Sequence, residues 1–137
     1  MNYLLDTDTC IYWLKGHQSV RERLLAVGWE QVGICVITAA ELYYGAYNSS
    51  RVSENLARAA LFIQQLPVLP LNDNALRRFG QLKAEFRRRG QPLADFDLLI
   101  ASVGLAEGYI LVTNNTRHYE RITELQLENW TSPEESQ

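Results

Sequence analysis

Three carboxylates stand where predicted secondary-structure elements meet: Asp6, Glu41 and Asp97. Carboxylates brought within about 4–6 Å of one another raise each other's pKa values unless a cation lies between them. A hard divalent cation such as Mg²⁺ or Mn²⁺ would neutralise them, make a water molecule more acidic and stabilise charge on a phosphodiester. The pattern therefore favours metal-dependent phosphodiester cleavage, provided that the fold brings the three acids together.

Each acid also has a structural explanation when it is considered alone. Asp6 could be a turn residue, and Thr38-x-x-Glu41 fits a capping box in which Glu41 only satisfies a backbone N–H. Asp95 is a good helix N-cap, and Asp97 in a first helical turn complements the helix dipole. Taken singly, the structural roles are favoured; it is the combination at one edge of a sheet that favours catalysis.

Apolar runs alternate with helical patterns along the chain, and this alternation predicts the elements that position the acids. Predicted strands cover residues 3–5, 32–37, 68–71, 109–112 and, as an edge strand, 125–130. Predicted helices cover 9–15 (capped by Asp8 or Thr9), 20–27 (capped by Ser19), 38–47, 51–66, 75–89 (capped by Asn72 or Asp73) and 95–108 (capped by Asp95). Such alternation is typical of an α/β fold with a mainly parallel sheet, in which sites form outside the carboxyl ends of the strands.

Composition limits the class of protein. The chain has 137 residues, a formal net charge of −3 and 47% hydrophobic residues, which excludes a disordered chain and a strongly basic nucleic-acid coat protein. We expect one domain over residues 1–130 and a polar, flexible tail over 131–137. Cys10 and Cys35 form no CxxC pair, no signal peptide is evident, and the apolar stretch 98–113 is too short to span a bilayer. A reduced, cytoplasmic setting is expected.

Four sequence blocks occur in an order that resembles a known family. They are LLDTD at residues 4–8, TAAELYYG at 38–45, DFDLLIA at 95–101 and LVTNNTRHY at 111–119. The chain is similar to PIN-domain ribonucleases, and specifically to VapC-type toxins of bacterial toxin–antitoxin pairs. The resemblance runs from about Met1 to Trp130 and implies a PIN-like three-layer sandwich, with a central, mainly parallel sheet flanked by helices.

The resemblance implies a Mg²⁺-dependent endoribonuclease, with Mn²⁺ as a possible substitute, that cuts RNA by metal-activated water. Asp6, Glu41 and Asp97 match the catalytic acids. Asp6 and Asp97 would bind the metal, and Glu41 would either bind it through a water molecule or orient the attacking water. Asp95 would cap its helix or support the site. Many PIN domains carry a fourth acid where this chain has Asn114 and Asn115, and amides add no charge, so a single Mg²⁺ is expected.

The resemblance also implies partners: a VapB-like antitoxin, bound in a groove bordered by the early helices, and a second copy in a homodimer. Six of the thirteen basic residues lie in the predicted helix 75–89. Arg87 and Arg88 in that helix, and Arg117 beside the two asparagines, are candidate RNA contacts, although a solvated helix face explains them equally well. Tyr43, Tyr44 and Tyr47 could belong to the core or stack on unpaired bases.

Two other functions fit parts of the sequence. Asp6-Thr7-Asp8-Thr9 after a strand is similar to the opening of haloacid-dehalogenase-like phosphatases, but Lys15 and Lys83 are the only lysines, and the later strand leads to asparagines instead of an acidic pair. A non-catalytic RNA- or partner-binding PIN module is the second alternative, and the presence of all three acids disfavours it.

Overall fold

The fold is taken from a computed structural model that describes Asn2 to Ser132. Most of the predicted tail, residues 133–137, lies outside the described range. Within that range, the backbone N–H of Thr131 donates to the side-chain oxygen of Asn129 at 3.0 Å, and its hydroxyl lies 2.7 and 3.0 Å from the side-chain oxygens of Asn129 and Asn114.

A five-stranded sheet runs through the centre of the described chain. Its strands are β1 (Tyr3–Leu5), β2 (Val32–Cys35), β3 (Val68–Leu69), β4 (Ile110–Val112) and β5 (Leu127–Glu128). They lie in the order β3-β2-β1-β4-β5, and all four neighbouring pairs are parallel. The predicted α/β class is confirmed, and the last strand is the predicted edge strand.

Between Asn2 and Ser132, seven helices connect and cover these strands. They are α1 (Thr7–Leu14), α2 (Gln18–Val27), α3 (Val36–Tyr47), α4 (Val52–Gln64), α5 (Asp73–Arg88), α6 (Asp95–Glu107) and α7 (Thr116–Tyr119), with a single 3₁₀ turn at Trp29–Gln31. Among residues 2–132, no helix is long and apolar enough to cross a membrane.

The sheet separates two hydrophobic cores because successive side chains of a strand point to opposite faces. Leu4 of β1 belongs to the core that α5 and α6 cover, whereas its neighbour Leu5 belongs to the core beneath α1, α2 and α4. Both leucines are fully buried, and burying a leucine stabilises a fold by about 1.5–3 kcal/mol. The two cores account for the predicted three-layer sandwich.

Several predicted element boundaries are wrong, and the reason in each case is a local cap. The N-cap of α1 is Asp6, not Asp8 or Thr9, and the N-cap of α2 is His17, not Ser19. β2 ends at Cys35 because that residue caps α3, its sulfur accepting from the backbone N–H of Ile37 at 3.4 Å. Apolar β-branched residues 36 and 37 extended the predicted strand although they begin the helix.

Two predicted side-chain caps are also absent. Ala94 is the N-cap of α6 and makes no side-chain cap bond, so Asp95 is the first helical residue and not the cap. Glu41 and Thr38 form no capping box, because α3 begins two residues before Thr38 and Glu41 bonds elsewhere. A role in a capping box therefore does not explain Glu41.

The order of the strands creates a crevice at one edge of the sheet. From β1 the chain proceeds to β2 and then β3 on one side, and it later returns to place β4 on the other side of β1. The carboxyl ends of β1 and β4 thus flank a topological switch point, where α/β proteins bind their ligands. Asp6 follows β1, and Thr113 follows β4.

Candidate active site

Asp6 lies at the centre of the crevice, between the ends of β1 and β4. One carboxylate oxygen accepts from the backbone N–H of Thr7 at 2.9 Å, and the other accepts from the Thr113 hydroxyl at 2.8 Å. Asp6 is only 6% exposed. Burial, followed by the charges of Asp8 and Asp97, raises its pKa from an ordinary value of 3.8 to about 7. A cation beside this buried carboxylate would stabilise its charged form.

Glu41 reaches the same crevice from α3. Its Oε1 accepts a hydrogen bond from the Thr7 hydroxyl at 2.7 Å. The Thr7 oxygen is also 3.2 Å from the Thr38 hydroxyl, and since Thr7 gives its single proton to Glu41, Thr38 is the donor in that contact. Thr7 therefore links the two acids, with its backbone N–H on Asp6 and its hydroxyl on Glu41.

Asp97 lies in the first turn of α6, where it accepts a hydrogen bond from one residue of α7 and lies close to a second. Its Oδ1 accepts from the Tyr119 hydroxyl at 3.1 Å, and its Oδ2 lies 2.9 Å from His118 Nε2. The histidine contact is close but not aligned, because Nε2 has no hydrogen-bond partner of suitable geometry among the described residues.

Tyr119 binds Asp97 through its buried hydroxyl. It is 1% exposed, and burial together with the negative charges of Asp6 and Asp97 raises the pKa of its hydroxyl above the usual range. The hydroxyl therefore stays neutral and donates. Hydrogen bonds through Thr7 thus join Asp6 with Glu41, and Asp97, which is bonded to Tyr119, lies close enough to Asp6 for its charge to raise the pKa of Asp6. We call the three acids and these donors the acid network.

Sequence reasoning missed Asp8 as a member of the site, because it was interpreted as a helix cap. Asp8 accepts from the backbone N–H of Asn114 at 3.1 Å and lies 3.4 Å from the Thr113 hydroxyl. Burial raises its pKa, and its charge is the largest electrostatic contribution to the raised pKa of Asp6. Two acids separated by one residue after a buried strand are the signal that identifies it.

The three residues predicted to support the site, Asp95, Asn114 and Asn115, lie in different parts of the structure. Asp95 forms an exposed ion pair with Lys83 of α5 at 3.0 Å. The Asn114 side chain donates to the Tyr12 hydroxyl and accepts from Asn129 and Thr131, so it ties α1 to the C-terminal segment. Asn115 is exposed at the start of α7 without a side-chain cap bond.

The three candidate RNA-binding arginines are all exposed. Arg87 and Arg88 end α5, and Arg117 lies on α7 next to His118. In the described part of the chain, none of the three has a carboxylate within 4.0 Å. They are therefore available to phosphate groups.

The carboxylate oxygens of the site are suitable ligands for a hard divalent cation, although the acids do not lie close enough together to coordinate one. Between Asn2 and Ser132, no three His, Cys, Asp or Glu side chains are arranged closely enough to hold a metal ion. The acids are spaced by hydroxyl groups that donate to them. Carboxylate oxygens are the ligands that Mg²⁺ and Mn²⁺ prefer, and the raised pKa of Asp6 is relieved by a cation, so the residues fit the group.

Comparison with known proteins identifies the family of the chain. The PIN domain family matches residues 3–125 of the chain. The chain belongs to the PIN-domain family. Among curated PIN proteins it is similar to the tRNA(fMet)-specific endonuclease VapC of Shigella flexneri, with 38% identity over 134 residues that cover 96% of this chain and 99% of the relative. Ribonuclease VapC2 of Haemophilus influenzae strain Rd is 37% identical over 95% of this chain and 98% of its own length.

Solved structures agree with this assignment. The PIN domain superimposes on a chain of DNA-bound VapBC from Salmonella typhimurium with a TM-score of 0.89 and 37% identity, covering 95% of this chain and 98% of the other. VapBC2 from Rickettsia felis, bound to a DNA fragment from its promoter, gives a TM-score of 0.87 and 33% identity over 95% and 99% of the two chains. The resemblance to VapC-type PIN domains is confirmed, and the phosphatase alternative is not supported.

Proposed function

We propose that this PIN domain is a VapC-type endoribonuclease that cleaves RNA phosphodiester bonds and acts as the toxin of a toxin–antitoxin pair. The observation that carries the proposal is that Asp6, Glu41 and Asp97 lie near the carboxyl ends of β1 and β4, with Asp6 and Glu41 bonded to Thr7 and Asp97 bonded to Tyr119. Relatives of nearly equal length named as ribonucleases support the reaction class. The two buried cysteines of this chain, Cys10 and Cys35, are free thiols, which fits the proposed action in the cytoplasm.

The proposed cofactor is one Mg²⁺, with Mn²⁺ as a substitute, held by Asp6 and Asp97. Bound there, it would offset the negative charge that develops on the phosphodiester and make water more acidic. Asn114 and Asn115 add no charge to this edge, and the Asn114 amide is already engaged with neighbouring side chains. A second tightly bound ion is therefore not proposed.

The remaining residues of the network position these acids. Glu41 would orient the attacking water, and the Thr7 hydroxyl fixes the Glu41 carboxylate. Tyr119 holds Asp97 by one oxygen. Thr113 holds Asp6 by one oxygen, while the other oxygen of Asp6 is held by the backbone of Thr7. These donors fix the directions of the carboxylates before a metal or substrate arrives.

The proposed partners are an RNA substrate, a VapB-like antitoxin and a second copy of the chain. A cavity of about 230 Å³ lies between α1, α3 and α4; it is lined mainly by apolar side chains and has Glu41 among its lining residues, which makes it the proposed antitoxin groove. Several large side chains of α3 are exposed, with Tyr44 at 68% and Tyr47 at 63%, and they are the proposed homodimer contact. Light scattering of the purified chain, alone and with its antitoxin, measures both assemblies.

Cleavage of RNA in Mg²⁺ compared with EDTA tests the proposed activity. The tRNA(fMet) that names two of the relatives is the first substrate to assay, beside a generic phosphomonoester. We expect metal-dependent cutting of RNA and no release of phosphate. RNA binding without cutting would select the non-catalytic module, and phosphomonoester hydrolysis would select a phosphatase.

A further inference from the structure

A second cavity lies outside the acid network, between the C-terminal end of α5 and the segment that leads into α6. We call it the α5–α6 cavity. Its volume is about 300 Å³, and it is lined by Lys83, Phe86, Arg87, Pro92, Leu93 and Leu98.

The α5–α6 cavity has an apolar floor and a cationic rim. Phe86, Leu93 and Leu98 form the floor and are 2%, 8% and 1% exposed. Lys83 and Arg87 are exposed at the rim. Lys83 is paired with Asp95 at 3.0 Å, whereas Arg87 has no carboxylate within 4.0 Å in the part of the chain that is described. A free guanidinium beside an apolar floor suits a ligand that carries both a flat apolar group and a negative charge.

The cavity and the acid network share the first turn of α6. Leu98 lines the cavity, and the residue before it, Asp97, belongs to the network. Asp95 of the same turn holds Lys83 at the rim. A ligand in the cavity would therefore lie next to the turn that presents Asp97.

We propose that the α5–α6 cavity binds one nucleotide of a single-stranded RNA substrate, with the base over the apolar floor and a backbone phosphate at Arg87. The proposal rests on the ribonuclease function proposed above. An acidic site repels a polyanion, so substrate binding needs cations nearby. The strand must be single, because only an unpaired base can be turned outward into a protein cavity.

Binding of a fluorescein-labelled single-stranded RNA in Mg²⁺, followed by fluorescence anisotropy, tests the proposal. All proteins carry Asp97→Asn so that cleavage does not interfere. Arg87→Ala is compared with Arg77→Ala, which removes the same charge from the same helix about 15 Å away. We expect Arg87→Ala to raise Kd at least fivefold and Arg77→Ala to change it less than twofold.

The salt dependence separates a phosphate contact from a general structural effect. Losing one phosphate contact to a single strand should reduce the slope of log K against log salt by about 0.7. Arg87→Ala should show this reduction, and Arg77→Ala should not. A single abasic nucleotide moved along the RNA should weaken binding at one position, and a duplex of the same sequence should bind more weakly than the single strand.

The outcomes distinguish this inference from the proposed function. If the parent chain fails to cut RNA in Mg²⁺, the proposed function is wrong. If the parent cuts RNA but Arg87→Ala matches Arg77→Ala in Kd and in slope, only the nucleotide site is wrong. Loss of antitoxin binding in Arg87→Ala, with RNA binding unchanged, would assign the cavity to a protein partner and overturn the proposal.

Discussion

Replacing Asp6 with asparagine should abolish cleavage and, in the absence of metal, stabilise the fold. The pKa of Asp6 is raised from 3.8 to about 7 because the carboxylate is buried beside Asp8 and Asp97. A difference of about 3 units is worth about 4 kcal/mol at roughly 1.4 kcal/mol per unit. This is the upper value of the gain, since a buried amide carries its own desolvation cost. We expect a gain of about 2–4 kcal/mol, or on the order of 5–15 °C in Tm for a chain of this size.

The stabilisation of Asp6→Asn relative to the parent chain should increase with pH. Between pH 3.8 and about 7, folded Asp6 holds a proton that the unfolded chain has lost. The stability of the parent chain therefore falls as pH rises through this window and changes little above it as far as this group is concerned. The advantage of Asp6→Asn should be largest at pH 8 and should vanish near pH 4.

Urea denaturation and thermal unfolding in EDTA at pH 8 and pH 4 measure this prediction. Glu22→Gln, which removes an acid from an exposed position of α2, is the matched control and should leave stability nearly unchanged. Saturating Mg²⁺ should reduce the difference in stability between Asp6→Asn and the parent chain, because a ligand that binds only the folded parent stabilises it. An Asp6→Asn variant that is less stable than the parent at pH 8 in EDTA would refute the reasoning.

Three further substitutions test separate parts of the site. Tyr119→Phe should lower the cleavage rate 10–100-fold because it removes the donor that orients Asp97, whereas Tyr109→Phe should cut RNA at the parental rate; equal rates would remove Tyr119 from the site. Phe96→Ala should weaken single-stranded RNA binding by about 1–3 kcal/mol in anisotropy titrations, because this ring, 53% exposed beside Asp97, is available to stack on a base; an unchanged Kd would contradict this. Asn115→Asp should leave Mg²⁺ affinity equal or stronger in calorimetry, since it adds a carboxylate at the edge of the site, and weaker binding would count against that placement.

Local patterns in the sequence predicted the parallel sheet and the three acids, because both depend on short-range information, whereas the three-layer arrangement was implied by the family resemblance. Continuous apolar runs predicted a buried parallel sheet, and the end of β1 followed by Asp6 predicted a ligand edge. Helix starts were harder to predict. Asp6, His17 and Cys35 act as caps although serine, threonine or aspartate stood close by as the expected choices.

The groups that hold the acids were not predicted, because they come from distant parts of the chain. Thr113 meets Asp6 across 107 residues, and Thr7 meets Glu41 across 34. Tyr119 carries no sequence signal of its own, since a buried tyrosine is usually part of a core, and its role follows only from the contact of its hydroxyl with Asp97. Such contacts depend on tertiary packing and not on spacing along the chain.

A crystal soaked in Mn²⁺ and measured for anomalous scattering tests the central claim most directly. We expect one strong peak in the crevice, within about 2.0–2.3 Å of a carboxylate oxygen of Asp6 and of Asp97, and the loss of that peak in Asp97→Asn. A protein that cuts RNA in Mn²⁺ but shows its ion elsewhere, with Asp6 and Asp97 free of metal, would contradict the account.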